Sequence, residues 1–212
     1  MSYTAQIITW YFGRFIFKVF LRLKIEGLEN LNSSIKKGGV VFVANHGGKS
    51  DAFIIGCSLP LDYFKKIKKL RYMAHPKYSE NIIYGPILRL LGAYSIRKCG
   101  GDYEKALENT IEILKSNQSL VIFPVGKIEP NLIAEHARPG VAYLAEKLNS
   151  VLVPVYVANS HKISIFEFFG RKRQVKVVFG QPFQCCDIAS QTDNLRERAR
   201  KITAKVAELA TA

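Results

Sequence analysis

With 212 residues the chain is long enough for one substantial domain, and no Pro-, Gly- or Ser-rich linker divides it into two independent ones. A hydrophobic content of 48% supplies a core, while a formal charge of +14 points to anionic partners: a phospholipid surface, a phosphorylated substrate, an acidic carrier protein or nucleic acid. Four cysteines at 57, 99, 185 and 186 form no Cys-x-x-Cys pair and no zinc-type histidine spacing, so free thiols in a reducing compartment and no metal site are expected.

The amino-terminal segment is apolar, but it lacks a basic leader and a small-residue cleavage site, so it is expected to stay attached. Arg14 and Lys18 interrupt it too early for a bilayer span, which needs about 20 mostly apolar residues. Apolar residues recur at 8, 11, 12, 15, 16, 19, 20 and 23, while Arg14, Lys18 and Arg22 repeat along another face. That spacing predicts an amphipathic helix over residues 1–24. Trp10, Tyr11, Phe12 and Phe15 are of the types that settle at the headgroup boundary, and a basic stripe suits anionic lipid. The competing reading is an ordinary helix covering the domain's own core.

Residues 24–39 read as a connection with a short extended piece at its start. Next comes Val40-Val41-Phe42-Val43-Ala44-Asn45-His46-Gly47-Gly48-Lys49-Ser50-Asp51, a buried strand running into a polar corner. On a continuous helix His46 and Asp51 would lie about 140° apart. Gly47-Gly48 lets the chain turn the carboxylate back toward the imidazole, which makes a His-Asp dyad possible. Asp51 would then fix the tautomer of His46 and leave its other ring nitrogen to accept a proton from a hydroxyl. The plainer alternative is a satisfied strand-end histidine followed by an aspartate that caps the next helix. Residues 52–59 read as that helix, with Ser50 as its cap.

Lys65-Lys66-Ile67-Lys68-Lys69-Leu70-Arg71 is the densest positive cluster and leads into a strand at 72–74. A helix at 80–91, a strand at 93–97 and a helix at 102–116 follow. The apolar strand 119–123 ends in Pro124-Val125-Gly126-Lys127, a second strand-end corner, and an irregular polar loop to Arg138 is a candidate substrate loop. A helix at 137–148 precedes the buried strand 151–157, whose Pro154 places it at an edge or bulge. A strand at 174–179 and a charged helix at 193–209 complete the chain. Alternating strands and helices predict an α/β domain with a largely parallel central sheet flanked by helices. Sites in such sheets gather beyond the carboxyl ends of the strands, where His46, Arg97 and the Gly126-Lys127 corner all fall.

The order of these motifs resembles the glycerophospholipid acyltransferase family, which includes bacterial 1-acylglycerol-3-phosphate acyltransferases. Asn45-His46 with Asp51 is similar to its first block, Gly92-Ala93-Tyr94-Ser95-Ile96-Arg97 to its second, and Val153-Pro154-Val155 to its fourth. The third block normally reads Phe-Pro-Glu-Gly, and here it is Phe123-Pro124-Val125-Gly126. The resemblance implies acyl transfer from a thioester of coenzyme A or acyl carrier protein to the free hydroxyl of a lysophospholipid, with lysophosphatidic acid as the expected acceptor. No cofactor and no covalent acyl-enzyme are implied.

In that scheme His46 and Asp51 are catalytic, Arg97 binds the acceptor phosphate, and Asn45, Gly126 and Lys127 contribute to substrate binding. The work would be done on the cytoplasmic face of a membrane, with residues 25–212 as the acyltransferase domain. Val125 offers neither charge nor hydrogen bond, which puts acceptor binding in doubt and opens a second reading, a noncatalytic anionic-lipid-binding relative. Glu129 and Glu135 lie nearby but in irregular chain. His75, His136 and His161 have no partner at an informative spacing and are expected to be satisfied or exposed. No nucleic-acid signature accompanies the charge.

Overall fold

A strand covered on both faces must be apolar at every position, and the central strands of this chain are. The computed structural model describes residues 3–33, 39–67, 69–74, 76–79, 81–95 and 102–211. In chain order its elements are α1 (Tyr3–Phe20), β1 (Lys24–Glu26), β2 (Val41–Ala44), α2 (Asp51–Ser58), α3 (Leu61–Lys66), β3 (Leu70–Ala74), α4 (Pro76–Ser79), α5 (Tyr84–Leu91) and β4 (Ala93–Ser95). They continue with α6 (Tyr103–Lys115), β5 (Ser119–Ile122), α7 (Gly140–Leu148), β6 (Leu152–Ala158), α8 (Ile165–Phe169), β7 (Lys176–Phe179), α9 (Cys185–Ile188) and α10 (Leu195–Ala207).

The strands form one sheet in the order β1-β7-β6-β2-β5-β3-β4, with every neighbouring pair parallel except β6 and β7. β2 is the middle strand. Phe42 and Ala44 face a core shared with Ile54 and Ile55 of α2, whereas Val41 and Val43 face one shared with Leu144 of α7 and Ile202 of α10. The expected α/β domain with a largely parallel sheet is the observed fold.

Pro154 does not mark an edge. β6 runs between β2 and β7, paired to both. The Pro154 carbonyl accepts a hydrogen bond from Gly180 N (2.9 Å), one residue past the end of β7, so the ring nitrogen also faces the place where that ladder stops. The missing donor removes no bond from the β2 side. Ser50 also differs from expectation: it occupies the cap position of α2, yet its hydroxyl makes no capping bond, and its carbonyl accepts from Phe53 N and Ile54 N instead. The dense basic cluster divides. Lys65 and Lys66 are exposed, Lys68 lies outside the described residues, and Arg71 is inside β3 with its guanidinium 5.7 Å from the Tyr94 ring.

Helix α1 is apolar on two faces, and only one of them serves the core. Gln6 donates to the Leu70 carbonyl (2.7 Å), and Trp10 Nε1 donates to that of Leu59 (3.0 Å). Arg14, expected in a lipid-facing basic stripe, instead points inward. Its Nη1 donates to the carbonyls of Cys57, Ser58 and Leu59 (2.8, 3.2 and 3.3 Å), the unpaired C-terminal end of α2, where a cation also complements the helix dipole. On the opposite face Ile8, Tyr11, Phe12 and Phe15 are 56–67% exposed. Among the described residues no helix is long and apolar enough to cross a membrane.

Cys57, Cys185 and Cys186 are free thiols, and burial pushes the Cys57 thiol up to about 12. Cys57 lies directly under α1: a Cβ added at Gly13 would stand 2.6 Å from its Sγ. Alanine at position 13 should therefore destabilise the fold by about 1–3 kcal/mol through overpacking, despite alanine's better helix propensity. Urea denaturation of Gly13→Ala, Cys57→Ala and the double variant checks this, because the double variant should recover part of the loss if the two sites are in contact.

Candidate active site

Three parallel strands end side by side, and the residues just past them converge. His46 lies two residues beyond β2, Phe123 one beyond β5, and Ser160 and His161 two and three beyond β6. This is the carboxyl edge of the sheet, where the polar ends of parallel strands leave a natural site.

His46 Nδ1 stands 3.2 Å from Asp51 Oδ2, and Gly48 N donates to the same oxygen at 2.7 Å. Asp51 is fully buried, whereas the His46 side chain keeps 20% of its surface. A carboxylate only accepts, so Nδ1 carries the proton and Nε2 presents its lone pair. One ring face is covered by Phe123, whose ring stacks at 4.0 Å between centroids and 12° between planes. Asp51 Oδ1 is buried without a partner among the described residues, a local cost of about 1–3 kcal/mol of the kind found where a site is held ready for chemistry.

The glycines are needed for close approach rather than for unusual backbone angles. Neither Gly47 nor Gly48 has a positive φ, but a Cβ on Gly48 would come within 2.2 Å of the Ser160 carbonyl oxygen. Asn45, expected at the substrate, is buried and directs both ends of its carboxamide to the neighbouring strand. Nδ2 donates to the Val157 carbonyl (2.9 Å), and Oδ1 accepts from Val157 N (2.7 Å). It extends the β2–β6 pairing past the last strand residue, because one side chain can substitute for a missing ladder bond.

His161, read from the sequence as uninformative, is part of this corner: its Nδ1 donates to the Gly47 carbonyl at 2.9 Å. No local spacing could have revealed that contact, since 114 positions separate the two residues. The second corner also comes close. Val125 is buried, 4% exposed, in a turn closed by Gly126 N donating to the Phe123 carbonyl (3.0 Å). Gly126 has φ +72°, a conformation that favours glycine, and both Gly126 and Lys127 are exposed.

Beyond that turn the loop folds back over the corner, with Glu129 N donating to the His46 carbonyl at 2.9 Å. The Glu129 carboxylate is engaged by Lys127 Nζ (2.5 Å) and His136 Nδ1 (3.3 Å), and the Lys127 ammonium, with His136, holds it below the usual carboxylate range. Glu135 is exposed. Arg97 and His75 lie outside the described residues. Among the described residues no three His, Cys, Asp or Glu side chains gather as a metal site would require.

This geometry provides a histidine base with an oriented tautomer, a buried carboxylate behind it and a polar, partly cationic loop beside it. A family model described as Acyltransferase matches residues 22–158, a span that contains His46, Asp51 and the turn after β5 and ends just short of Ser160 and His161. No curated protein matches the sequence significantly. Among solved structures, the crystal structure of the 1-acyl-sn-glycerophosphate (LPA) acyltransferase PlsC from Thermotoga maritima is similar, with a TM-score of 0.66 at 21% identity. That match covers 98% of this chain and 80% of the other, and it bears on the fold. Because the family model takes in well over half of the sequence, including both strand-end corners, the chain belongs to the Acyltransferase family.

Proposed function

We propose that the protein transfers a fatty acyl group from a thioester to the free hydroxyl of a lysophospholipid, with lysophosphatidic acid as the acceptor and phosphatidic acid as the product. The single observation that carries this reading is the buried Asp51 carboxylate bonded to Nδ1 of a partly exposed His46. His46 Nε2 takes the proton as the acceptor oxygen attacks the thioester carbonyl, the new C–O bond forms, and the C–S bond breaks. The proton then passes from His46 to the departing thiolate. Asp51 holds the ring and stabilises the imidazolium formed on the way.

We assign Arg97 to the acceptor phosphate on the family likeness alone, and Lys127 to the same anionic end from its place beside the corner. The donor is a thioester of coenzyme A or acyl carrier protein. We further propose that residues 1–24 lie at the cytoplasmic membrane interface and that residues 25–212 form the acyltransferase domain, which would let the acceptor be reached without leaving the lipid. The exposed apolar face of α1 supports that placement.

A second reading has its own observation. Val125 stands where the family block carries glutamate, so the corner lacks an acidic contact for the acceptor. On this reading the protein binds anionic lipid without turning it over. One lost hydrogen bond to a charged group is worth about 1.5–3 kcal/mol, or roughly 10- to 200-fold in rate, which would impair transfer without abolishing it.

A radiolabelled acyl-transfer assay with vesicles and a panel of donors and acceptors tests these readings. His46→Ala should lower transfer about 10²- to 10⁴-fold, and equal turnover by variant and parent would remove His46 from the mechanism. Asp51→Asn should also lose about 10²-fold or more, because an amide can donate to Nδ1 and flip the tautomer, leaving Nε2 protonated. Val125→Glu should raise transfer roughly 10- to 200-fold if the acceptor contact is what is missing. Silence of both chains toward every acceptor, with binding to anionic vesicles retained, would establish the noncatalytic reading instead.

A further inference from the structure

The apolar surface of this protein does not stop at α1. Helix α8 is one and a half turns long, yet three of its five residues are large, apolar and turned to solvent: Ile165 is 73% exposed, Phe166 86% and Phe169 64%. Its inner side is fixed. Phe168 packs against the core, and its ring stacks on Phe20 at the end of α1 (5.2 Å between centroids, 22° between planes).

The short helix is further held by its own chemistry. Ser164 and Glu167 form a reciprocal capping box, and Arg173 Nε donates to Glu167 at 2.9 Å. Those bonds, Arg173 first, keep the Glu167 carboxyl at about 2 and leave the helix's one acid paired. The charges that remain open on its flanks are positive: Lys162, Arg171 and Lys172 are all exposed. Rigid aromatic residues ringed by free cations are the chemistry that meets an anionic lipid surface.

Topology places this element beside the catalytic corner. α8 begins four residues after His161, which bonds to Gly47. α1 arrives at the same edge, because Lys24 pairs with Lys176 of β7, and Lys176 pairs with Ala158, the last residue of β6. The end of α1, α8 and the mouth over His46 thus share the carboxyl edge of the sheet.

We propose that α8 is a second membrane foot: Ile165, Phe166 and Phe169 enter the surface of a bilayer containing anionic lipid, with Lys162, Arg171 and Lys172 on its headgroups. Two separate contacts on one rigid body fix its tilt as well as its distance, and so set the His46 cleft toward the lipid. This inference rests on the proposed interfacial role of α1 and adds an element to it.

Co-sedimentation with vesicles of phosphatidylcholine and phosphatidylglycerol tests it, using the full chain, Ile165→Ser/Phe166→Ser and Phe12→Ser/Phe15→Ser. The α8 double variant should bind at least about tenfold more weakly with an unchanged thermal midpoint and circular dichroism spectrum. In an otherwise unaltered chain, Phe166→Trp should show emission that shifts to shorter wavelength on vesicles and is quenched by bromolipid, beyond the signal of the buried Trp10 in the parent. Parent-like binding by the α8 variant, with an unquenched probe, overturns the second foot; if Phe12→Ser/Phe15→Ser is weakened in that same experiment, the α1 reading stands. No vesicle binding by the parent overturns both. A dimer of the parent that the α8 variant dissolves shows that a second copy covers the patch, and this too overturns the proposal.

Discussion

The buried carboxylate of Asp51 sets the terms for everything around it. With no exposed surface it has no bulk water to solvate its charge, and its Oδ2 is supplied instead by two N–H groups, one from Gly48 and one from His46. The Gly48 bond requires the chain to turn tightly, the turn presses its backbone against Ser160, and Ser160 is held in place because β6 is paired with β2. Asn45 strengthens that pairing at its open end, and His161 pins the Gly47 carbonyl. The imidazole therefore takes its orientation from the sheet rather than from local chain alone.

The same corner explains why the loop after β5 matters although, between that strand and α7, it forms a single 3-10 turn at Ala134–His136. Phe123 covers one face of the His46 ring, and the amide of Glu129 bonds to the His46 carbonyl, so the chain from 123 to 129 touches this histidine at its side chain and at its backbone. Val125 sits buried in the turn between those two contacts, where its apolar side chain packs without needing a partner. An acid there would be poorly solvated and would need a donor of its own.

Around this polar centre the molecule keeps an apolar exterior that a freely dissolved domain would gain by hiding. Each large side chain fully removed from water contributes about 1.5–3 kcal/mol, and α1 and α8 leave several of them exposed. Arg14 shows the cost of reading such a helix from its wheel alone: its charge completes the carbonyl end of α2 and is not offered to a surface. Lys18, on α1 itself, and Arg22, just past its end, are the cations of this stretch that stay exposed.

What the sequence determined by itself is local: fully apolar strands that must be buried on both faces, a helix with more apolar surface than one face can use, and a histidine and an aspartate brought together across two glycines. These follow from periodicity and from what a short stretch can do with its own backbone. Tertiary structure alone decided that β6 is central despite Pro154, that Asn45 serves β2–β6 pairing, that Gly48 must lack a side chain because of Ser160, and that His161 belongs to the corner. Each of these depends on which strands lie side by side. Strand order is settled by burying two faces of one sheet at once, a condition on the whole chain that no window of residues contains.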